Sequence, residues 1–174
     1  MYEAERKKQE AGYEALLRMN GPENPYRLHL ELSDWMVENV TVVRYNDRLR
    51  KTDEKLQELL ERWRRIGVDD SSSWCNKTVS FTRQLYNMLH LARAITLGAL
   101  ARDESRGAHY KPEFPDRDDA NWLKTTIAGF TEDGPRFAYK DVDLAYIKPR
   151  PRRYDVVKEA QQPAEPRHKE ESAR

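Results

Sequence analysis

Apolar residues recur at helical spacing over the first part of the chain and give way to short extended runs in the second. Residues 2 to 19 predict a charged helix with Leu16 and Leu17 near its end, weakened by Gly12 and stopped by Asn20-Gly21-Pro22. Asn24-Pro25 places a capping side chain ahead of a proline at the first helical position. Leu28, Leu32, Trp35, Met36 and Val40 then share one face of a helix from about Pro25 to Asn39. Val40 to Tyr45 is β-branched and is either extended or a continuation of that helix. Thr52 reads as the cap of a third helix, with Asp53 and Glu54 at its positive end, Leu56, Leu59, Leu60, Trp63 and Ile66 as its buried stripe and Gly67 as its stop.

The fourth helix, from about Thr78 to Arg102, is apolar over most of its circumference and therefore predicted to be central, packed on several sides. Its polar exceptions, Arg83, Asn87 and His90, form one narrow stripe that faces solvent, another domain or a partner, with Arg93 one turn beyond. Glu104-Ser105-Arg106 reads as the charged end of this helix, and Gly107 as its break. Beyond it, Pro112 and Pro115 forbid a continuous helix, and Phe114-Pro115-Asp116 turns the chain into a short helical start at Asp118 to Asn121. Trp122 to Phe130 and Arg136 to Val142 predict two strands around the turn pair Asp133-Gly134. From Lys148 the composition turns to Pro, Arg, Lys, Glu and Gln, and residues 155–174 are expected to be a disordered tail.

The fold class that follows is mainly α: a three- to four-helix, spectrin-like bundle, then a small β-containing C-terminal unit and the tail. The expected domains are an N-terminal helix and linker over residues 1–24, the helical bundle over 25–106, a small C-terminal domain with a β-hairpin over 107–154, and the tail over 155–174.

Composition narrows the function. Thirty-one basic against 30 acidic residues leave a net charge of +1, so no global field attracts nucleic acid or an anionic membrane. No uncharged stretch approaches the roughly 20 apolar residues that span a bilayer, and the charged start reads as no signal peptide. The single cysteine, Cys75, excludes an intrachain disulfide or a thiolate-held cluster within this chain and fits a reducing cytoplasm. The seven glycines, at 12, 21, 67, 98, 107, 129 and 134, include no Gly-x-Gly, so a dinucleotide fingerprint and a phosphate loop are both absent in their usual forms.

His29, His90, His109 and His168 stand singly, without the spacing of a metal triad. Ser105 lies near His109 but lacks the strand-turn-helix elbow of a nucleophilic serine. His90, among apolar neighbours, reads as a hydrogen-bonded core or contact histidine. Arg106 and His109 flank Gly107, where they either build an anion site or tie off exposed helix carbonyls. The run Asp116, Asp118, Asp119 lacks calcium-site spacing and reads as a solvated cap.

Three stretches carry a family resemblance. They are Asn24-Pro25-Tyr26-Arg27-Leu28-His29 with Asp34-Trp35-Met36 and Asn39 to Arg44; Glu104-Ser105-Arg106-Gly107-Ala108-His109-Tyr110; and Phe114 to Asp119 with Asn121 to Thr126. In order and spacing they resemble the helical and C-terminal domains of the succinate dehydrogenase and fumarate reductase flavoprotein family, over about Pro25 to Tyr154. The resemblance implies that FAD belongs to the complete subunit and that this chain alone binds no cofactor. It implies that dicarboxylate and the proton-shuttling arginine belong to N-terminal flavin and substrate domains outside this chain, so no catalytic residue transfers and the chain alone is inactive. It also implies contacts to those domains and to an iron-sulfur subunit, at the inner face of the cell membrane through partner subunits. On that view Arg83, Asn87, His90, Glu104, Arg106 and His109 are the candidate interface and structural residues. The competing expectation is a non-catalytic helical interaction module derived from the same scaffold.

Overall fold

In the computed structural model of the protein, residues 2–131 and 133–150 are described. The expected tail therefore lies outside the described residues. Four long helices come first: α1 (Tyr2–Leu17), α2 (Pro25–Asn39), α3 (Asn46–Trp63) and α4 (Lys77–Ala101). A single-turn helix, α5 (Asp119–Trp122), leads into two strands, β1 (Lys124–Gly129) and β2 (Arg136–Asp141), which pair antiparallel with Lys124 opposite Asp141 and Gly129 opposite Arg136. Residues through Val142 form one compact unit. The described part of the second unit is a run without helix or strand, in which the Ala145 N–H donates to Asp143 Oδ1.

The mainly helical class stands, and several element ends explain themselves. Asn24 Oδ1 accepts from the Tyr26 and Arg27 amides at 2.9 and 3.2 Å and starts α2 at the proline. Asn76 does the same for α4 through the Val79 amide at 2.9 Å. The interior of the bundle is built from Leu28 and Leu32 of α2, Leu56 and Leu59 of α3, and Val79, Leu85 and Leu89 of α4, with Leu16 of α1 joining it. A smaller apolar cluster of Val40, Leu49 and Ala99 sits toward the C-terminal end of α4. Each fully buried Leu contributes about 1.5–3 kcal/mol relative to an exposed one. Directional contacts fix the register of the helices: Arg62 is bonded to both carboxylate oxygens of Glu23 and of Glu31, Trp63 Nε1 donates to the Thr82 carbonyl at 2.8 Å, and Arg93 pairs with Asp53 at 2.8 Å.

Several expectations need correction. Helix α3 starts at Asn46, so Thr52 lies inside it, buried, with its hydroxyl donating to the Arg48 carbonyl at 2.8 Å. It also ends at Trp63, ahead of Gly67. Gly67 serves close backbone approach instead: Gly21 N–H donates to the Ile66 carbonyl and Gly67 N–H to the Glu23 carbonyl, and a Cβ at Gly21 would lie 1.9 Å from the Arg65 oxygen. Glu104 and Ser105 are beyond the last turn of α4, in a buried loop. The hairpin strands begin after Trp122, which ends α5, and stop before Phe130, with Asp133-Gly134 late in a six-residue connection from 130 to 135.

Helix α4 buries Val79, Thr82, Leu85, Leu89, Ala92, Thr96 and Ala99 at steps of three and four residues, the single face of a regular helix. Leu91 and Ile95, 63% and 52% exposed, leave one apolar side uncovered. The helix is thus packed on fewer sides than its composition predicts.

Candidate functional site

The last turn of α4 leaves carbonyls without helical partners, and the chain returns to supply them. The tetrapeptide Arg106-Gly107-Ala108-His109 closes on itself through two backbone hydrogen bonds of 2.7 and 3.0 Å between Arg106 and His109. Gly107 has φ +60°, a left-handed conformation that favours glycine. The turn brings Lys111 back under the helix end, where its ammonium, wholly buried, donates to the Leu100 carbonyl at 3.0 Å and to Asp103 at 2.8 Å. His109 Nε2 stands 3.0 Å from the Arg102 carbonyl and Nδ1 stands 2.6 Å from Arg44 Nη1. A carbonyl only accepts and a guanidinium only donates, so both bonds are satisfied together by the neutral ring with its proton on Nε2. Burial pushes the imidazole pKa down, and the Arg44, Lys111 and Arg102 charges push the same way against the bond to the Arg102 carbonyl.

Glu104 is the other buried centre. Its carboxylate, with no exposed surface, accepts from Arg102, from Arg106 Nε and Nη2 at 2.9 and 3.0 Å, and from the Asp118 amide at 3.0 Å. Burial by itself raises such a carboxyl; the bonds from Arg106, the Asp118 amide and Arg102 outweigh it and hold Glu104 below the usual range. Arg106 also reaches Asp119 at 2.6 Å, and Asp119 in turn pairs with Arg117. Asp118 caps α5 through the Asn121 amide at 3.0 Å. Arg102 continues outward, donating to the Trp122 and Lys124 carbonyls at 2.9 and 2.7 Å, and so joins α4 to the hairpin. The Ser105 hydroxyl donates to the Phe114 carbonyl at 2.7 Å and accepts from the Lys111 amide at 3.0 Å, which makes it a staple of the loop.

The segment after α2 runs beside this turn, with Arg44 N–H donating to the Tyr110 carbonyl and Tyr110 N–H to that of Val42. A groove of about 340 Å³ opens there, between Arg44, His109 and Arg102 on one side and Leu91, Ile95 and Phe137 on the other. No group of three His, Cys, Asp or Glu side chains among the described residues is placed to hold a metal ion.

Of the residues singled out from sequence, Glu104, Arg106 and His109 come together in this turn, whereas Arg83, Asn87 and His90 do not join them. Arg83 Nη2 donates to Gln9 of α1, beside a cavity of about 470 Å³ lined by Leu16, Trp63 and Tyr86. Asn87 is exposed. His90 is wedged edge-on between Tyr86 and Phe130, ring centres 4.4 and 5.0 Å away, and its buried Nε2 has no hydrogen-bond partner among the described residues. Burial lowers its pKa, with the Arg93 charge adding to the effect. Arg44, Arg102 and Lys111 were invisible as site residues in the sequence. Their partners are scattered in the chain, and the faint signal was a cluster of basic residues around one glycine break.

The chain is similar to known proteins over most of its length. A family model described as fumarate reductase flavoprotein C-term matches residues 29–154. A succinate dehydrogenase flavoprotein subunit of Bacillus subtilis (strain 168) is 52% identical over 162 residues, 92% of this chain and 28% of that protein. A fumarate reductase flavoprotein subunit of Escherichia coli (strain K12) is 35% identical over 161 residues, 91% of this chain and 27% of that protein. A solved E. coli quinol fumarate reductase chain superposes with a TM-score of 0.81 at 34% identity, over 85% of this chain and 26% of that one. The chain spans 28% and 27% of the length of these two curated relatives.

Proposed function

Given that the chain belongs to the succinate dehydrogenase and fumarate reductase flavoprotein family, as its C-terminal part, we propose that it is the supporting end of a subunit that interconverts succinate and fumarate. In this reading FAD and the reacting carbons are held by flavin and substrate domains outside this chain. The chain contributes a rigid bundle and a charged turn that dock against those domains and against an iron-sulfur subunit. The helical bundle over 25–106 and the small C-terminal domain over 107–154 act as its two supporting parts, with no catalytic residue in either. The complete assembly sits at the inner face of the cell membrane through partner subunits. No helix among the described residues is long and apolar enough to cross a membrane.

The observation that supports this most is the 52% identity with the Bacillus subtilis succinate dehydrogenase subunit across 92% of the chain. The turn after α4 supports it chemically: its charged groups are consumed in holding one another, as befits a structural support rather than a reacting centre. Exposed Arg83 and Asn87 are the stripe residues available to a partner; Glu104 and Arg106 shape the surface from within. In the test, this chain is mixed with the polypeptide carrying the flavin and substrate domains, and dye-linked succinate oxidation is followed. The mixture is expected to oxidise succinate and the isolated chain with added FAD is not. Turnover by the isolated chain, or a mixture no more active than its parts, would overturn the proposal.

A further inference from the structure

Nearly every cation in the turn after α4 has a carboxylate: Arg102 and Arg106 share Glu104, Arg106 also takes Asp119, and Lys111 takes Asp103. Arg44 stands apart. Among the described residues it forms no ion pair, and with Arg44 Nε donating to the Val40 carbonyl at 3.1 Å and Nη1 to His109, three of its five N–H donors have no acceptor among those residues. Burial lowers its pKa with no neighbouring carboxylate to offset it. A half-buried guanidinium without a counter-charge has lost part of its hydration with nothing to offset it, whereas a carboxylate meets its fork with two parallel bonds. His109, fixed by the Arg102 carbonyl behind it, holds the guanidinium in place. The groove that Arg44 borders continues over Leu91, Ile95, Gly98 and Phe137 of the same unit. Gly98 keeps this floor low, since a Cβ there would already touch the Phe137 ring at 3.4 Å.

We infer that this groove is the receptor for an acidic residue flanked by apolar side chains, carried by the polypeptide that precedes this chain in the complete subunit, with Arg44 receiving its carboxylate. The occupant follows from two observations. The charge at the groove is a single uncompensated cation beside apolar surface. The matched relatives are between three and four times as long as the matched stretch, which is 28% of one and 27% of the other, and the matching family model is a C-terminal one. The docking rests on the role proposed above and adds the residue and the chemistry of its partner.

The test joins this chain in frame behind the flavin-bearing part of the Bacillus subtilis relative, replacing the matched residues. A photo-reactive phenylalanine stands in place of Ile95, and mass spectrometry identifies the cross-linked peptide. A peptide from the flavin-bearing part that contains Asp or Glu beside apolar residues is expected. Arg44→Met is expected to reduce that cross-link about tenfold and Arg44→Lys by less, because a lysine keeps the charge and loses the bidentate fork. The wild-type cross-link is expected to weaken at about 0.5 M salt, where exposed charges are screened. A flavin-loaded, active chimera with no cross-link, or one in which Arg44→Met cross-links like the wild type, would overturn the docking and leave the proposed function standing. A chimera that neither holds flavin nor oxidises succinate would overturn both. Saturable binding of free succinate by the isolated chain, lost in Arg44→Met, would assign the groove to a small anion instead.

Discussion

The bundle and the turn that follows it are both buried, yet they are held by opposite means. Inside the bundle, Leu28, Leu56, Leu59, Leu85 and Leu89 have no exposed surface and ask of their neighbours only shape. Inside the turn, the wholly buried side chains include Glu104 and Lys111, and each is stable only because named donors or acceptors meet it. Apolar burial is roughly proportional to area and indifferent to direction. A buried charge is costly until every partner is in place, after which the loss of one partner strands the rest. The bundle should therefore tolerate changes of identity that keep volume, and the turn should tolerate almost none.

The sharpest way to break this contrast is Glu104→Ala. It would leave Arg102, Arg106 and the Asp118 amide facing an empty carboxylate site, and a loss of about 3–5 kcal/mol in denaturant unfolding is expected. A loss below about 1 kcal/mol, the range of surface pairs, would show the turn to be held by something other than this centre. In the bundle, Leu89→Ala is expected to cost about 2–5 kcal/mol and Leu89→Met less than about 1.5 kcal/mol. That ratio is the signature of packing. If Leu89→Met cost as much as Leu89→Ala, the interior would be a specific fit and the contrast would weaken. Lys111→Met is expected to cost about 1–3 kcal/mol, because the partly buried Leu100 carbonyl loses its donor, while exposed Asp103 recovers water.

The same contrast explains what the sequence disclosed. Helix α2 was legible almost to the residue because Asn24-Pro25 is a local signal with the apolar period behind it, and α4 was legible from its long apolar run alone, its Asn76 cap appearing only in the structure. The start of α3 was misplaced because Asn46 to Lys51 contains one apolar residue, Leu49, whose burial comes from the separate cluster with Val40 and Ala99. Gly67 looked like a helix stop, since a sequence does not show that Gly21 will pass within touching distance of it. In the turn, Gly107 was legible as a break, and Arg106 and His109 as a pair of interest. Tying off helix carbonyls was one of two roles legible for the pair, but not which residue would do it. Arg106 is consumed by Glu104 and Asp119, and it is His109 and Lys111 that tie off the helix carbonyls, with Arg44 arriving from 65 residues away. Periodicity reports a face that must be buried; it carries no record of which distant polar group will satisfy which other.

The smallest expected effect concerns pH, and it follows from the tautomer of His109. The ring is held neutral, with its folded pKa below the ordinary value. Such a group destabilises the fold only where the unfolded chain takes up a proton that the folded chain refuses. Stability is therefore complete above the ordinary histidine pKa of about 6.5, falls as the pH drops below it, and levels off under the lowered folded value. Protonation would add a cation among Arg44, Arg102 and Lys111, whose carboxylates Glu104 and Asp103 are already engaged, and would remove the acceptor for Arg44 Nη1. His90, also lowered by burial and by Arg93, titrates in the same direction. The two are separable: His109→Gln should flatten part of the decline in unfolding midpoint between neutral and mildly acidic pH, and His90→Gln a further part. A decline unchanged in His109→Gln would mean that the ring is not locked between Arg44 and the Arg102 carbonyl in solution. The turn would then owe its order to Glu104 and Lys111 alone.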